Sequence, residues 1–212
     1  EGNIGRLHVG GTATAQRIDF GGNVDQVRTI GADATLDTRL DPVLPRNAVY
    51  VFAGAEQVRL TPDQGAAWSP YVRRKVDASV YLGTIKQAVL VGRVLREDAT
   101  ASQPLYFKPM LGGMNSLRGY DTASFVGDTL VAGTLELRVP LTSPISIGKF
   151  GMRAFVDRGT VYDRGQRFAD QDLKQGYGGG VFFALPTFSM NLDLAYSSEK
   201  NFRLHFSGGF SF

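Results

Sequence analysis

Few side chains in this sequence could support covalent or metal chemistry. Its 212 residues include two histidines, His8 and His205, and no cysteine. Disulfides, thiolate metal sites and cysteine nucleophiles are therefore excluded. No G-x-S-x-G, H-E-x-x-H or phosphate-loop pattern occurs, and no residue set has metal-ligand spacing. Neither a catalytic residue, a metal site nor a cofactor is expected. His205, between Arg203 and Ser207 in phase, reads as a polar wall residue of a strand. A serine-histidine-aspartate hydrolase near the strand ends is the weaker alternative. The run "GYGGG", Gly176 to Gly180, lies inside an alternating segment, where glycines permit a bend or a bulge. What remains is "LGGMNSLRGYDTAS", Leu111 to Ser124, which follows neither a helical nor a strand period. An arginine there can grip a carboxylate with two parallel N–H groups and lay its flat face on an aromatic ring. Gly119 lets the backbone turn and approach another surface closely. The competing reading is a surface loop with Arg118 in water.

The elements available to position this loop are strands. In "FRLHFSGGFSF", Phe202, Leu204, Phe206, Phe210 and Phe212 share one face, while Arg203, His205, Ser207 and Ser211 share the other. The same alternation sets Phe188, Met190, Leu192, Leu194 and Tyr196 against Ser189, Asn191, Asp193 and Ser197. It sets Met152, Ala154 and Val156 against Arg153, Phe155 and Asp157. The pattern predicts ten strands, at about 4–18, 26–40, 46–61, 70–82, 85–97, 127–140, 147–158, 175–185, 187–197 and 202–212. The phase drifts in the first and third segments, which suggests bulges there. Two long connections, Asp98–Val126 and Gly159–Lys174, follow odd-numbered strands, and short turns follow the even-numbered ones. Short turns on one rim and long loops on the other is the arrangement of outer-membrane barrels.

Composition leaves two all-β architectures open, a soluble sandwich and a membrane barrel. Hydrophobic residues make up 43%, charged residues 20%, and the mean hydropathy is -0.10. A barrel whose apolar residues alternate with polar ones averages to such a value. No apolar run is long enough for a transmembrane helix, and the N-terminal residues lack a leader pattern. The net charge of +3 is spread without a basic block, so nucleic acid is not an expected partner. Three features favour the antiparallel transmembrane β-barrel. Charges of both signs stand mid-strand on one face, several segments reach membrane-spanning length, and aromatic residues mark segment ends.

Four elements of the second half then fall in order: Leu117-Arg118-Gly119-Tyr120, the strand containing Glu136-Leu137-Arg138 and Pro140, Phe155-x-Asp157-x-Gly159, and the terminal Phe212. Five strands follow the first element. This set resembles the C-terminal barrel part of the bacterial surface antigen superfamily, which comprises BamA-like outer-membrane assembly factors and two-partner-secretion translocators. The resemblance is specific over about 105–212. It implies a single barrel domain over 1–212 without a soluble periplasmic module, working in insertion, assembly or translocation of proteins at the outer membrane of a Gram-negative-type bacterium. A passive pore or anchor is the alternative. It implies as partners outer-membrane lipids, client outer-membrane or secreted proteins, and further copies of the chain. It also implies that the loop folds into the lumen, where Arg118 meets Asp157 and Phe155. Phe212 and Phe210 would serve as the C-terminal aromatic signal, and Gly208 and Gly209 would weaken the seam formed by the last strand. The family's barrel is sixteen-stranded. Ten strands therefore form a narrow barrel of their own, with the loop over its mouth, or contribute to a wider one.

Overall fold

The computed structural model describes residues 5–63, 69–141, 148–185, 187–199 and 201–210. Phe212 and the start of the first predicted strand lie outside these residues. Ten long strands form one antiparallel sheet: β1 (Arg6–Phe20), β2 (Asn23–Asp37), β3 (Ala48–Pro62), β4 (Tyr71–Gly83), β5 (Val89–Ala99), β8 (Thr129–Leu141), β9 (Lys149–Tyr162), β10 (Lys174–Leu185), β11 (Phe188–Ser197) and β12 (Phe202–Phe210). Each pairs with its sequence neighbours, which keeps every ladder local. A further two-residue pair, β6 (Met110–Leu111) with β7 (Phe125–Val126), lies within the connection from β5 to β8. Among the described residues β1 and β12 are the two edges of the sheet, and no ladder joins them.

The sheet is barrel wall rather than half of a sandwich. Its outward face carries Val9, Ile30, Val94, Leu135, Met152, Leu194, Leu204 and Phe206, each more than half exposed. No water-soluble sheet leaves so continuous an apolar face bare, whereas a bilayer covers it. Strands of 9 to 15 residues have the length to cross one at a tilt. The inward face holds most of the strand charges and three small apolar clusters.

Two expectations are corrected. Registers run unbroken along the ladders, from Arg6↔Asp37 to Phe20↔Asn23 and from Asp25↔Pro62 to Asp37↔Tyr50, so β1 and β3 contain no bulge. The apparent phase drift arises because small residues such as Gly11, Ala13 and Ala15 occupy the lipid face of β1, where larger apolar ones would mark the period. The two rims also do not divide cleanly into short and long. β1 turns into β2 through only Gly21 and Gly22, both at positive φ (61° and 82°), a geometry suited to a two-residue hairpin. The β2–β3 connection on the other rim runs from Thr38 to Asn47. Asp41 stiffens it by accepting hydrogen bonds from the amides of Val43 and Leu44. The long connection, Thr100–Asp128, leaves the rim and packs against the inner wall.

Candidate functional site

The site is built where the long loop meets the inward faces of β8 to β12. Register decides which wall residues are neighbours. Glu136 of β8 lies opposite Phe155 of β9, Asp157 of β9 opposite Gly176 of β10, and Asp193 of β11 opposite Gly180 of β10 and His205 of β12. Alternation points all of these to the side on which the loop lies.

Arg118 enters the centre of this wall and is 5% exposed. Its Nε donates to Asp157 Oδ2 at 2.7 Å and its Nη2 to Asp157 Oδ1 at 2.8 Å, a bidentate pair. The Arg118 backbone N–H adds a third bond to Asp157 Oδ2 at 3.0 Å. Nη1 donates to Glu136 Oε2 at 2.7 Å and to Asp193 Oδ2 at 3.2 Å. The guanidinium carbon stands 3.4 Å from the centre of the Phe155 ring, within cation–π range. Burial alone would lower the guanidinium's proton affinity. The hydrogen bonds and negative charge of Asp157, with the charge of Glu136, outweigh it and raise the pKa.

The network continues along the wall. Arg153 donates to both Asp193 oxygens at 2.6 Å, and Arg138 donates to Glu136 Oε1 at 2.7 Å. Three arginines thus face three carboxylates, all at most one quarter exposed. The formal charges cancel, which is the condition for keeping ions in a place with little water.

The neighbours of Arg118 are tied separately. Leu117 is fully buried in an apolar cluster with Leu95, Leu111, Tyr120, Leu130 and Ala132. The Gly119 N–H donates to His205 Nε2 at 3.0 Å, and the Tyr120 hydroxyl shares a 2.7 Å hydrogen bond with Ser198 Oγ. Gly119 has φ = 93°, and a Cβ there would stand 3.1 Å from the backbone of Tyr196 and Ser197. Arg203 pairs with Asp121 at 2.7 Å. Gly159 lets Leu111 close on β9, since a Cβ would lie 3.0 Å from the Leu111 side chain.

The structure therefore brings Leu117, Arg118, Gly119, Tyr120, Phe155, Asp157 and Gly159 into one site. Gly208, Gly209 and Phe210 lie apart, on β12. The glycines pair with Met190 and Ser189, and the Phe210 ring stacks on Phe188. Sequence reasoning missed Asp193, Arg153 and Glu136 as further members of the ion cluster. Their phase placed them on the charged face, but only the cross-strand register shows that they converge. For "GYGGG" the bulge that sequence reasoning allowed is absent: the ladders of β10 with β9 and β11 run unbroken. Gly176, Gly178 and Gly180 face inward, and a Cβ on Gly176 would overlap the Arg118 carbonyl oxygen. The glycines form a shallow floor on which the motif sits. His205 is an acceptor for the loop. Among the described residues no group of acidic or histidine side chains could hold a metal ion.

The fold resembles the crystal structure of BamA from Haemophilus ducreyi lacking POTRA domains 1–3, with a TM-score of 0.55 and 14% sequence identity. The match covers 97% of this chain and 59% of that one, so the chain spans about three fifths of the solved protein's length. A search of curated proteins gives no match. The Omp85 superfamily domain is matched over residues 11–212. An antiparallel barrel-type sheet, a loop bearing Leu117-Arg118-Gly119-Tyr120 seated on its inner wall and a domain match over nearly the whole length lead to one conclusion: the chain belongs to the Omp85 superfamily.

Proposed function

We propose that this chain works at the bacterial outer membrane in the insertion or translocation of other proteins, through strand edges rather than catalytic chemistry. The observation that carries the reading is the pair of sheet edges. Among the described residues β1 is laddered to β2 and β12 to β11, with no ladder between β1 and β12. Such edges offer rows of unpaired N–H and C=O groups to which an incoming strand adds by backbone hydrogen bonding. Gly208 and Gly209 favour exchange at the β12 edge, because glycines contribute no cross-strand side-chain contacts. The loop supports the same reading from inside. Anchored by Arg118, it fills the space against β8 to β12, so opening at the edges need not open an aqueous hole.

The test is folding of an unfolded client barrel into liposomes containing the purified chain. The expected result is faster client folding than with protein-free liposomes or with a closed barrel of another family. Equal rates in all three, together with steady single-channel conductance, would favour the passive pore.

A further inference from the structure

The outward face of the sheet is apolar except in one place. Among the described strand residues that point outward, the charged ones are Arg17, Asp19, Arg28, Arg59, Arg74, Arg96, Asp98 and Arg158. Each arginine lies three to five residues in from the strand end at the long-loop rim, on β1, β2, β3, β4, β5 and β9 respectively. All six are exposed. The opposite end of the same face carries Leu7, Leu36, Val49, Leu82 and Phe188, with no cation. On β10 to β12 the upper end is aromatic instead, where Tyr177, Tyr196 and Phe202 stack in series.

Two of these arginines are set against each other. Arg28 and Arg59 are direct cross-strand partners on this face, and no carboxylate among the described residues pairs with either. Like charges directly opposite destabilise a sheet unless an anion bridges them. Arg17, one strand over, reaches Asp63 only at 3.5 Å, and its side chain is 71% exposed. Arg74 and Arg96 share the single carboxylate of Asp98, leaving a net positive charge. Guanidinium is the side-chain group suited to bidentate binding of phosphate. Below the belt lies an apolar groove of about 680 Å³, floored by Ala78, Gly92 and Gly133 and reaching Arg158 at one end. A phosphate in bulk water has no use for such a groove, whereas an acyl chain does.

We infer that this belt binds phosphate-bearing lipid headgroups of the leaflet on the long-loop side, with Arg28 and Arg59 as its strongest point. The site faces lipid and is separate from the loop and from the β12 edge. It fixes the depth and tilt of the β1–β5 half, while the aromatic rim of β10 to β12 is left free of tightly held headgroups.

The experiment is native mass spectrometry of the detergent-purified chain titrated with diphosphoryl lipid A, with its dephosphorylated form as comparison. The intact chain should retain the diphosphoryl lipid, and inorganic phosphate at the same concentration should not displace it. Arg28→Gln/Arg59→Gln should weaken retention by roughly tenfold to thirtyfold, and Arg28→Lys/Arg59→Lys by less. The lysine pair also serves as a folded reference if the glutamine pair fails to assemble. Equal retention of phosphorylated and dephosphorylated lipid, or retention unchanged in the glutamine variant, would overturn the assignment. So would displacement by inorganic phosphate.

Discussion

Removing Arg118 should undock the loop, and the structure says which partner is left stranded. All three hydrogen bonds that Asp157 accepts come from Arg118, through Nε, Nη2 and the backbone N–H. Glu136 keeps Arg138, and Asp193 keeps Arg153. In Arg118→Ala the cluster passes from neutral to a net charge of -1, and the uncompensated charge sits on Asp157, which is 1% exposed. Breaking a buried pair in this way costs about 3–5 kcal/mol. That corresponds to roughly two to four orders of magnitude in the equilibrium for loop opening. Asp157→Ala instead takes the cluster to a net charge of +1 and removes the bidentate partner, but Arg118 keeps its Nη1 bonds to Glu136 and Asp193, so it should cost somewhat less. The double variant restores neutrality among Arg138, Arg153, Glu136 and Asp193, so it should be little worse than either single change. The expected coupling between the two sites is therefore close to the cost of the smaller single change, on the order of 3 kcal/mol. Hydrogen exchange of the amides at 113–121, in detergent, reads the opening free energy directly. Additive effects in the double variant, or unchanged exchange in Arg118→Ala, would refute the reasoning.

Other consequences follow from neighbouring contacts. Gly176→Ala places a methyl on the Arg118 carbonyl oxygen and should loosen the loop nearly as much as Arg118→Ala, whereas Gly209→Ala, with nothing within 4 Å of the new Cβ, should leave loop exchange unchanged. His205→Ala removes the acceptor of the Gly119 N–H and should cost about 1–3 kcal/mol of docking, with hydrolysis of ester substrates absent before and after the change. Asp128, in the loop just before β8, is subject to burial, which raises its pKa, but its hydrogen bond and ion pair with Lys108 and the Arg164 amide prevail and lower it. A carboxylate depressed in the folded state contributes stability that is present above its unfolded pKa and lost as pH falls through the folded one. Loop protection should therefore hold at neutral pH and decline below about pH 4, and Asp128→Asn should flatten that decline in an exchange-versus-pH series.

The strand pattern was legible because period-two alternation is imposed by the membrane and the inner wall together. Phe206 against His205 or Leu192 against Asp193 can be read without coordinates. The Arg118–Asp157–Phe155 contact was legible through a resemblance in motif order, since nothing local to residue 118 says which of the inward acids it would meet. The rest of the ion cluster was hidden because convergence depends on register across four strands, and register depends on turn lengths. The predicted fifth strand, at 85–97, runs in fact from Val89 to Ala99, and a shift of that size changes every cross-strand neighbour. The roles of Gly176 and Gly178 were hidden for a related reason. A glycine that clears space for a distant segment looks, in sequence, the same as one that bends its own strand.

The loop stands on two unlike feet, and their chemistry divides the work. Its first foot, Leu105–Phe107, rests on β1 to β4, with Tyr106 and Phe107 packed against a cluster of Val27, Val58, Leu60 and Tyr71 and with Arg73 over the Phe107 ring. The Tyr106 hydroxyl donates to Asp25. Its second foot is the Arg118 site on β8 to β12. Apolar packing is non-directional and tolerates small shifts, whereas a guanidinium with two fixed N–H pairs and a ring beneath it has one seat. The first foot therefore contributes attraction and the second sets position. The loop touches both halves of the inner wall, which are otherwise joined through the β5–β8 ladder. Loss of the second foot should leave the first half still covered and the second half bare. Exchange should then rise at the amides of β8 to β12 that face the loop, before it rises anywhere in β1 to β4.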